Sequence, residues 1–363
     1  PVIEDGGCPL RIGGARCTRN ILASLCLIFA LLAQSPLAAA NNTVGAWSTV
    51  KPWPLIPFHT VLMPDGRVLS YGTKADGTQT GWWIYDVWDP SAAGILQPTE
   101  HVTSSNTTGT DLFCSSQLVL PGGGGVFIAG GDNWTGSGTT NTGNNNSNLF
   151  NYGSNTLTRY ANMNRPRWYS SSTTLLNGET YIQGGSGGED RPEIRDVNGA
   201  FRLLQNANTS SLVFQFPRNF IAPDGRIFGF DGNGVMYYVS TSGLGAVTII
   251  TNQQLSGPTG TDSSAAMFRP GRILQFGGNS NGALVIDING SSPSVTTTDP
   301  LSSQRRLVNA TILADGKVLA TGGSSVWNEL TNVNYSAEIW DPVSGHWTHG
   351  ANILQGGGNA DRA

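Results

Sequence analysis

Two side chains in this sequence are spaced to do chemistry together. Cys114 lies eight residues before Gly122, and Tyr169 lies eight before Asn177, each ahead of a turn that joins two apolar segments. These segments are consecutive copies of one repeating unit. Equal offsets therefore predict that the thiol and the phenol lie close in space despite a separation of 55 positions (169 minus 114). Cys8, Cys17 and Cys26 all fall within the first 40 residues, which leaves Cys114 as the only thiol of the remaining chain. No intramolecular disulfide is open to it. A leftover cysteine is either a reactive thiol with an unusual covalent partner or a buried, inert core residue. Tyr169, taken alone, reads as a packing aromatic.

The other candidates for chemistry are few. Only four histidines exist. His59 reads as a residue of an inner strand and His101 as part of a polar linker. His346 and His349 read as surface residues at the outer edge of the last repeat, because three-residue spacing on a strand sends side chains to opposite faces. Such scattered imidazoles give no Ser-His-Asp set and no further metal-ligand spacing. The Gly-rich turn Gly122–Gly125 lacks the helix a phosphate cradle needs, and the run Asn141–Asn148 reads as a polar loop.

The elements that must position Cys114 and Tyr169 are legible as a repeat. Six segments share a strand, a glycine-containing turn and a second strand, often closed by Gly-Gly. They are Val61–Gly72, Leu118–Gly131, Thr174–Gly185, Ile221–Gly232, Met267–Gly278 and Ile312–Gly323. The turn glycines Gly178, Gly225, Gly271 and Gly316 are spaced by 47, 46 and 45 residues. A period near 50 with several short strands per unit marks a kelch-type β-propeller, one four-stranded blade per repeat. The fold class is therefore all-β. Third strands follow, clearest in Ala337–Pro342 and Val87–Pro90, and outer strands are expected near Leu96, Leu157, Phe201, Val247, Val295 and Trp347. A further outer-type strand, Val44–Val50, precedes the first hairpin. It implies six recognisable blades of a seven-blade ring, incomplete at the C-terminus.

Composition agrees with this architecture. Charged residues are only 12% of the chain and glycines number 48, which suits short strands and turns rather than long amphipathic helices. A net charge of −4 without a basic stripe argues against a nucleic-acid partner. Arg11, Arg16 and Arg19 precede an apolar run from Ile21 to Leu32 and a small-residue site at Pro36–Ala40. Residues 1–40 thus read as a leader with a secretory signal peptide, and 41–363 as the propeller of a secreted, monomeric protein. The apolar run is shorter than the about 20 residues of a membrane span, so no stable span is expected after cleavage. Sequons such as Asn106-Thr107-Thr108 are compatible with secretion.

Two local motifs add a resemblance. Asp111-Leu112-Phe113-Cys114 is similar to the D-x-F-C segment, and Arg167-Trp168-Tyr169 to the R-W-Y segment, of galactose oxidase and glyoxal oxidase-like copper-radical oxidases. The resemblance runs over about residues 45 to 350 and implies a Cys114–Tyr169 thioether. It further implies that Tyr169 ligates copper and carries the radical that oxidises a primary alcohol or aldehyde, with O2 leaving as H2O2. A phenol bearing sulfur is easier to oxidise than plain tyrosine, and copper suits imidazole and phenolate donors. The family's Tyr-His pair has no counterpart at Arg305-Arg306-Leu307-Val308-Asn309, and its second histidine comes from a C-terminal domain. The aromatic that shields the crosslink in that family would fall near Gly187, so this shield is expected to be absent. The expectation is an oxidase propeller complete only in a longer parent chain, and inactive or weakly active as it stands. The competing reading is a secreted, non-catalytic propeller that binds carbohydrate or protein, with Trp82, Trp83, Trp88 and Trp134 as candidate stacking surfaces.

Overall fold

The computed structural model describes residues 44–48, 51–74, 76–92, 100–134, 138–329 and 331–353. The leader 1–40 and the expected outer strand at Leu96 lie outside these residues. From Trp47 onward the chain forms one compact unit. Among the described residues it contains six four-stranded antiparallel sheets, each a blade. Blade 1 runs Ile56–Leu62, Val68–Thr73, Ile84–Trp88 and His101–Ser105. Blade 2 runs Ser116–Val119, Val126–Ala129, Ser147–Asn151 and Thr156–Arg159. Blade 3 comprises Ser170–Thr174, Thr180–Gly184, Glu193–Arg195 and Phe201–Leu203, and blade 4 Arg218–Ile221, Ile227–Phe230, Val235–Ser240 and Ala246–Gln254. Blade 5 is Ser263–Arg269, Arg272–Gly277, Ala283–Asp287 and Ser294–Thr298; blade 6 is Asn309–Ile312, Val318–Thr321, Ser336–Trp340 and Trp347–Asn352.

The hairpins form where the repeat places them, for a local reason. In blade 4, Gly225 takes φ +83°, the Ala222 amide bonds the Arg226 carbonyl at 2.8 Å, and Asp224 Oδ1 accepts the Arg226 amide at 3.0 Å. The glycine supplies the positive φ, and the aspartate ties the turn to the next strand.

Blades stack through apolar seams, which alternation along each strand makes possible. Leu69, Tyr71, Tyr85 and Val87 of blade 1 meet Val126, Ile128 and Phe150 of blade 2. Phe127 and Ala129 meet Ile182 across the blade 2–3 seam, and Tyr181 and Ile194 meet Ile227, Tyr237 and Val239 across the next. Similar cores join blade 4 to 5 and blade 5 to 6. Each fully buried aliphatic or aromatic side chain contributes about 1.5–3 kcal/mol, so the seams carry the fold.

The remaining face of blade 1 is covered differently. Trp53 packs on Trp88 and His101 at 5.1 and 4.6 Å between ring centroids and donates to Ser70 Oγ at 3.1 Å. Six residues earlier, Trp47 Nε1 donates to the Ala351 carbonyl of blade 6 at 2.8 Å.

Three sequence expectations change. Residues 44–48 are not strand, and 49–50 lie outside the described residues, so Val44–Val50 builds no part of a seventh blade among the described residues. The outer strand of blade 1 begins at His101, which is therefore no linker residue; its Nδ1 lies 2.7 Å from the buried Asp86 carboxylate. The run Asn141–Asn148 is no simple loop either. Thr139–Gly143 pairs with Asp132–Trp134 as an extra hairpin, and Ser147 opens the third strand of blade 2. Asparagine side chains make this possible: Asn144 Nδ2 donates to the Asp132 carbonyl at 2.6 Å, and its Oδ1 accepts the Asn146 amide.

Candidate active site

Cys114 and Tyr169 sit at matching positions, each just ahead of the innermost strand of its blade, in blades 2 and 3. The equal offsets therefore have the predicted consequence. The Tyr169 amide donates to the Cys114 carbonyl at 2.9 Å, and the phenol and the thiol are near enough for each to shift the pKa of the other. Both residues hold left-handed backbones, with φ of +62° and +70°. That conformation costs a non-glycine residue about 1–2 kcal/mol, and such outliers persist only where surrounding structure imposes them.

The imposing structure is a set of buried anchors. Arg167, fully buried, donates through Nε and Nη2 to Glu193 Oε1 at 3.0 and 2.8 Å, and through Nη1 to the Gly184 carbonyl at 2.7 Å. Glu193 Oε2 accepts the Asn164 amide at 2.8 Å. A buried charge pair needs this satisfaction of its remaining donors and acceptors to repay desolvation. The result is a rigid lead-in for Trp168 and Tyr169. Gly130 lets blade 2 approach it: a Cβ there would lie 2.1 Å from the Arg167 carbonyl oxygen.

Around the pair, aromatic rings close in. Trp168 lies on Tyr169 at 3.9 Å between centroids, and Phe216 flanks it at 4.7 Å. Gly187 carries no ring, as expected, but Trp168, the residue before Tyr169, covers the phenol from a position that the expectation of an absent shield overlooked. Phe216 is the next blade's equivalent of Tyr169, again left-handed at φ +49°, and its amide donates to the Tyr169 carbonyl at 2.9 Å. Trp168 Nε1 is buried and makes no regular hydrogen bond; its N–H favours the Cys114 thiolate.

The electrostatics keep both reactive groups protonated. Burial pushes the Cys114 thiol up to about 12, and the Tyr169 phenol lies above its ordinary range for the same reason. Asp132 adds to both effects through its charge. Asp111, 1% exposed, is raised by burial to about 7; its Oδ1 accepts the Phe113 amide at 3.0 Å, while Oδ2 is buried without a partner among the described residues.

His59 is the residue that spacing did not bring to this site. It lies in the first strand of blade 1, as expected, yet its Nε2 accepts the Cys114 amide at 3.0 Å. Burial holds its pKa down to about 4, so the ring is neutral near pH 7. His346 and His349 are exposed, away from this cluster, with His346 Nδ1 2.5 Å from Asp299. Trp82, Trp83 and Trp134 form an aromatic group, with Trp82 stacked on Trp134 at 5.8 Å and Trp83 edge-on to it at 4.8 Å.

No protein-family model and no curated protein matches the sequence. Among solved structures, the chain is similar to a fungal alcohol oxidase of the AA5 family in complex with copper, with a TM-score of 0.71. The fold shared with it is an all-β, kelch-type propeller. The likeness covers 86% of this chain and 68% of the oxidase at 19% identity, so the architecture is what it establishes.

Whether these residues suit copper is decided by their donor atoms. Among the described residues no three His, Cys, Asp or Glu side chains converge as metal ligands. Tyr169 offers one oxygen. The nearest imidazole, His59, has Nε2 engaged by the Cys114 amide, and Gln117 beside it favours its charged form. A tetragonal set of imidazole and phenolate donors is therefore not present here, and the described residues do not fit a complete copper centre.

Proposed function

We propose that this chain is the propeller of a secreted oxidase of the copper-radical type, in which Cys114 and Tyr169 become joined as a thioether. The observation that carries the reading is the Cys114 carbonyl bonded to the Tyr169 amide on the adjacent blade, which brings a thiol and a phenol together beside the Trp168 ring. The D-x-F-C and R-W-Y contexts and the propeller shared with a copper alcohol oxidase support it. In the joining step one bond forms between Cys114 Sγ and a Tyr169 ring carbon beside the hydroxyl. The S–H and C–H bonds break, and two protons and two electrons pass to O2, giving H2O2.

Tyr169 would then be one metal ligand, with the others supplied from outside the described residues. Completed in that way, the site would oxidise a primary alcohol or aldehyde with O2 as the electron acceptor. The residues described here would by themselves bind copper weakly and sustain little or no turnover.

Intact-mass spectrometry with alkylation tests the reading. A loss of two hydrogens with Cys114 unreactive to alkylation supports it, and Tyr169→Phe is expected to restore both the mass and the free thiol. A fully alkylatable Cys114 after exposure to copper and O2 would falsify it. It would favour a second reading, a propeller that binds carbohydrate on the Trp82, Trp83 and Trp134 group, where Trp83 is 40% exposed. Peroxide release with primary alcohols and aldehydes completes the test; robust turnover overturns the weak-activity expectation.

A further inference from the structure

At three blade junctions the residues that lead into the inner strands are linked by one kind of contact. The Tyr169 amide is received by the Cys114 carbonyl, the Phe216 amide by the Tyr169 carbonyl, and the Leu307 amide by the Asp262 carbonyl, each at 2.9 Å. Cys114 departs from this pattern. Its amide is received by a side chain, His59 Nε2, at 3.0 Å.

We propose that His59 is a positioning residue for Cys114, holding its backbone so that the thiol faces Tyr169. The proposal rests on the oxidase reading for its functional meaning, though not for its geometry. His59 pairs with Tyr71 across the hairpin of blade 1, which puts both rings on one face; they stack at 4.7 Å with an interplanar angle of 15°. Phe113 closes the edge of the imidazole at 5.8 Å. Tyr71 Oη lies 2.8 Å from Ser115 Oγ and donates to Gln117 Oε1 at 3.2 Å. Because Nε2 accepts a backbone N–H, the neutral ring carries its proton on Nδ1. Cys114 is thus gripped at both ends: its amide by blade 1 and its carbonyl by blade 3, across a left-handed kink at φ +62°. Releasing either end frees the residue to leave that conformation and turn the thiol away.

The test compares His59→Phe, which keeps a ring against Tyr71 but has no acceptor, with His59→Gln, whose Oε1 can replace Nε2. Tyr71→Phe serves as a control that perturbs the same neighbourhood while leaving the acceptor in place. The full chain is exposed to copper and O2, and the mass loss at Cys114 is followed in time. His59→Phe is expected to slow crosslinking by about tenfold or more, the worth of one buried hydrogen bond, with His59→Gln and Tyr71→Phe close to wild type. Equal rates in His59→Phe and wild type, or His59→Gln as slow as His59→Phe, would overturn the proposal. Amide exchange at Cys114 provides a readout independent of crosslinking. Fast exchange in His59→Phe with protection in His59→Gln supports the role, and equal protection in all variants sinks it. If the wild type never loses two hydrogens, the oxidase reading fails while the exchange experiment still decides the positioning role.

Discussion

Blades 3 and 6 begin their innermost strands with the same device and put different chemistry on it. In blade 3, Arg167 is buried against Glu193 of the third strand; in blade 6, Arg305 is buried against Glu338 of the third strand, at 2.6 Å. Each glutamate also caps a backbone amide three residues before its arginine, Asn164 in one blade and Ser302 in the other. Two residues after each arginine stands a left-handed residue, Tyr169 or Leu307. Between them, blade 3 places Trp168 over Tyr169, whereas blade 6 places Arg306 in an ion pair with Asp262. The strained lead-in is therefore a property of the scaffold. What marks blades 2 and 3 as the candidate site is the chemistry set on it, a thiol beside a shielded phenol.

The comparison is broken most severely at the arginines. Arg167→Ala and Arg305→Ala each leave a buried glutamate uncompensated, and each is expected to cost about 3–5 kcal/mol in urea unfolding. Only Arg167→Ala should also change the alkylation rate of Cys114, since only blade 3 positions its neighbour. An equal change in Arg305→Ala would show that the ring transmits strain globally.

A smaller effect separates the two ionisable groups that flank Cys114 in metal-free protein. His59 has its pKa lowered from 6.5 to about 4, so the unfolded chain binds the extra proton between those values and stability rises with pH across them. Asp111 is raised from 3.8 to about 7, so the folded chain keeps the proton and stability falls with pH across that window. The two effects oppose each other, with upper bounds of about 3 kcal/mol for His59 and about 4 kcal/mol for Asp111. Wild type is expected to be nearly flat from pH 4.5 to 7, Asp111→Asn to gain stability with rising pH, and His59→Gln to lose it. Denaturant midpoints across that range check the signs; parallel curves for the three proteins would refute the assignment.

The smallest effect sharpens the scaffold argument. Leu307 is 46% exposed at φ +58°, so Leu307→Gly relieves backbone strain while losing little packing and is expected to raise stability by up to about 1 kcal/mol. Tyr169→Gly relieves the same strain and loses the Trp168 and Phe216 contacts, giving a net loss. Thermal melting of the two variants should move in opposite directions.

Much of this could be read in advance, and the reason differs by residue. The hairpins were legible because their signals are local: an Asp-Gly such as Asp224-Gly225 fixes its own turn whatever surrounds it. The nearness of Cys114 and Tyr169 was legible because a repeat places equivalent positions side by side. His59 was not, since it reaches Cys114 through its side chain across a seam, from a position two residues out of step with the repeat. Asn141–Asn148 misled for a related reason. Its polar composition says loop, whereas Asn144 folds it by bonding the Asp132 carbonyl.

The sequence alone determined a propeller of repeated hairpins and the pairing of a thiol with a phenol, because strand periodicity and equal spacing do not depend on distant contacts. The tertiary structure decided which histidine accepts the Cys114 amide, which ring lies on the phenol, and that burial raises the Asp111 carboxyl to about 7. Those outcomes depend on burial and on side chains meeting across blades, and neither is encoded within any one repeat.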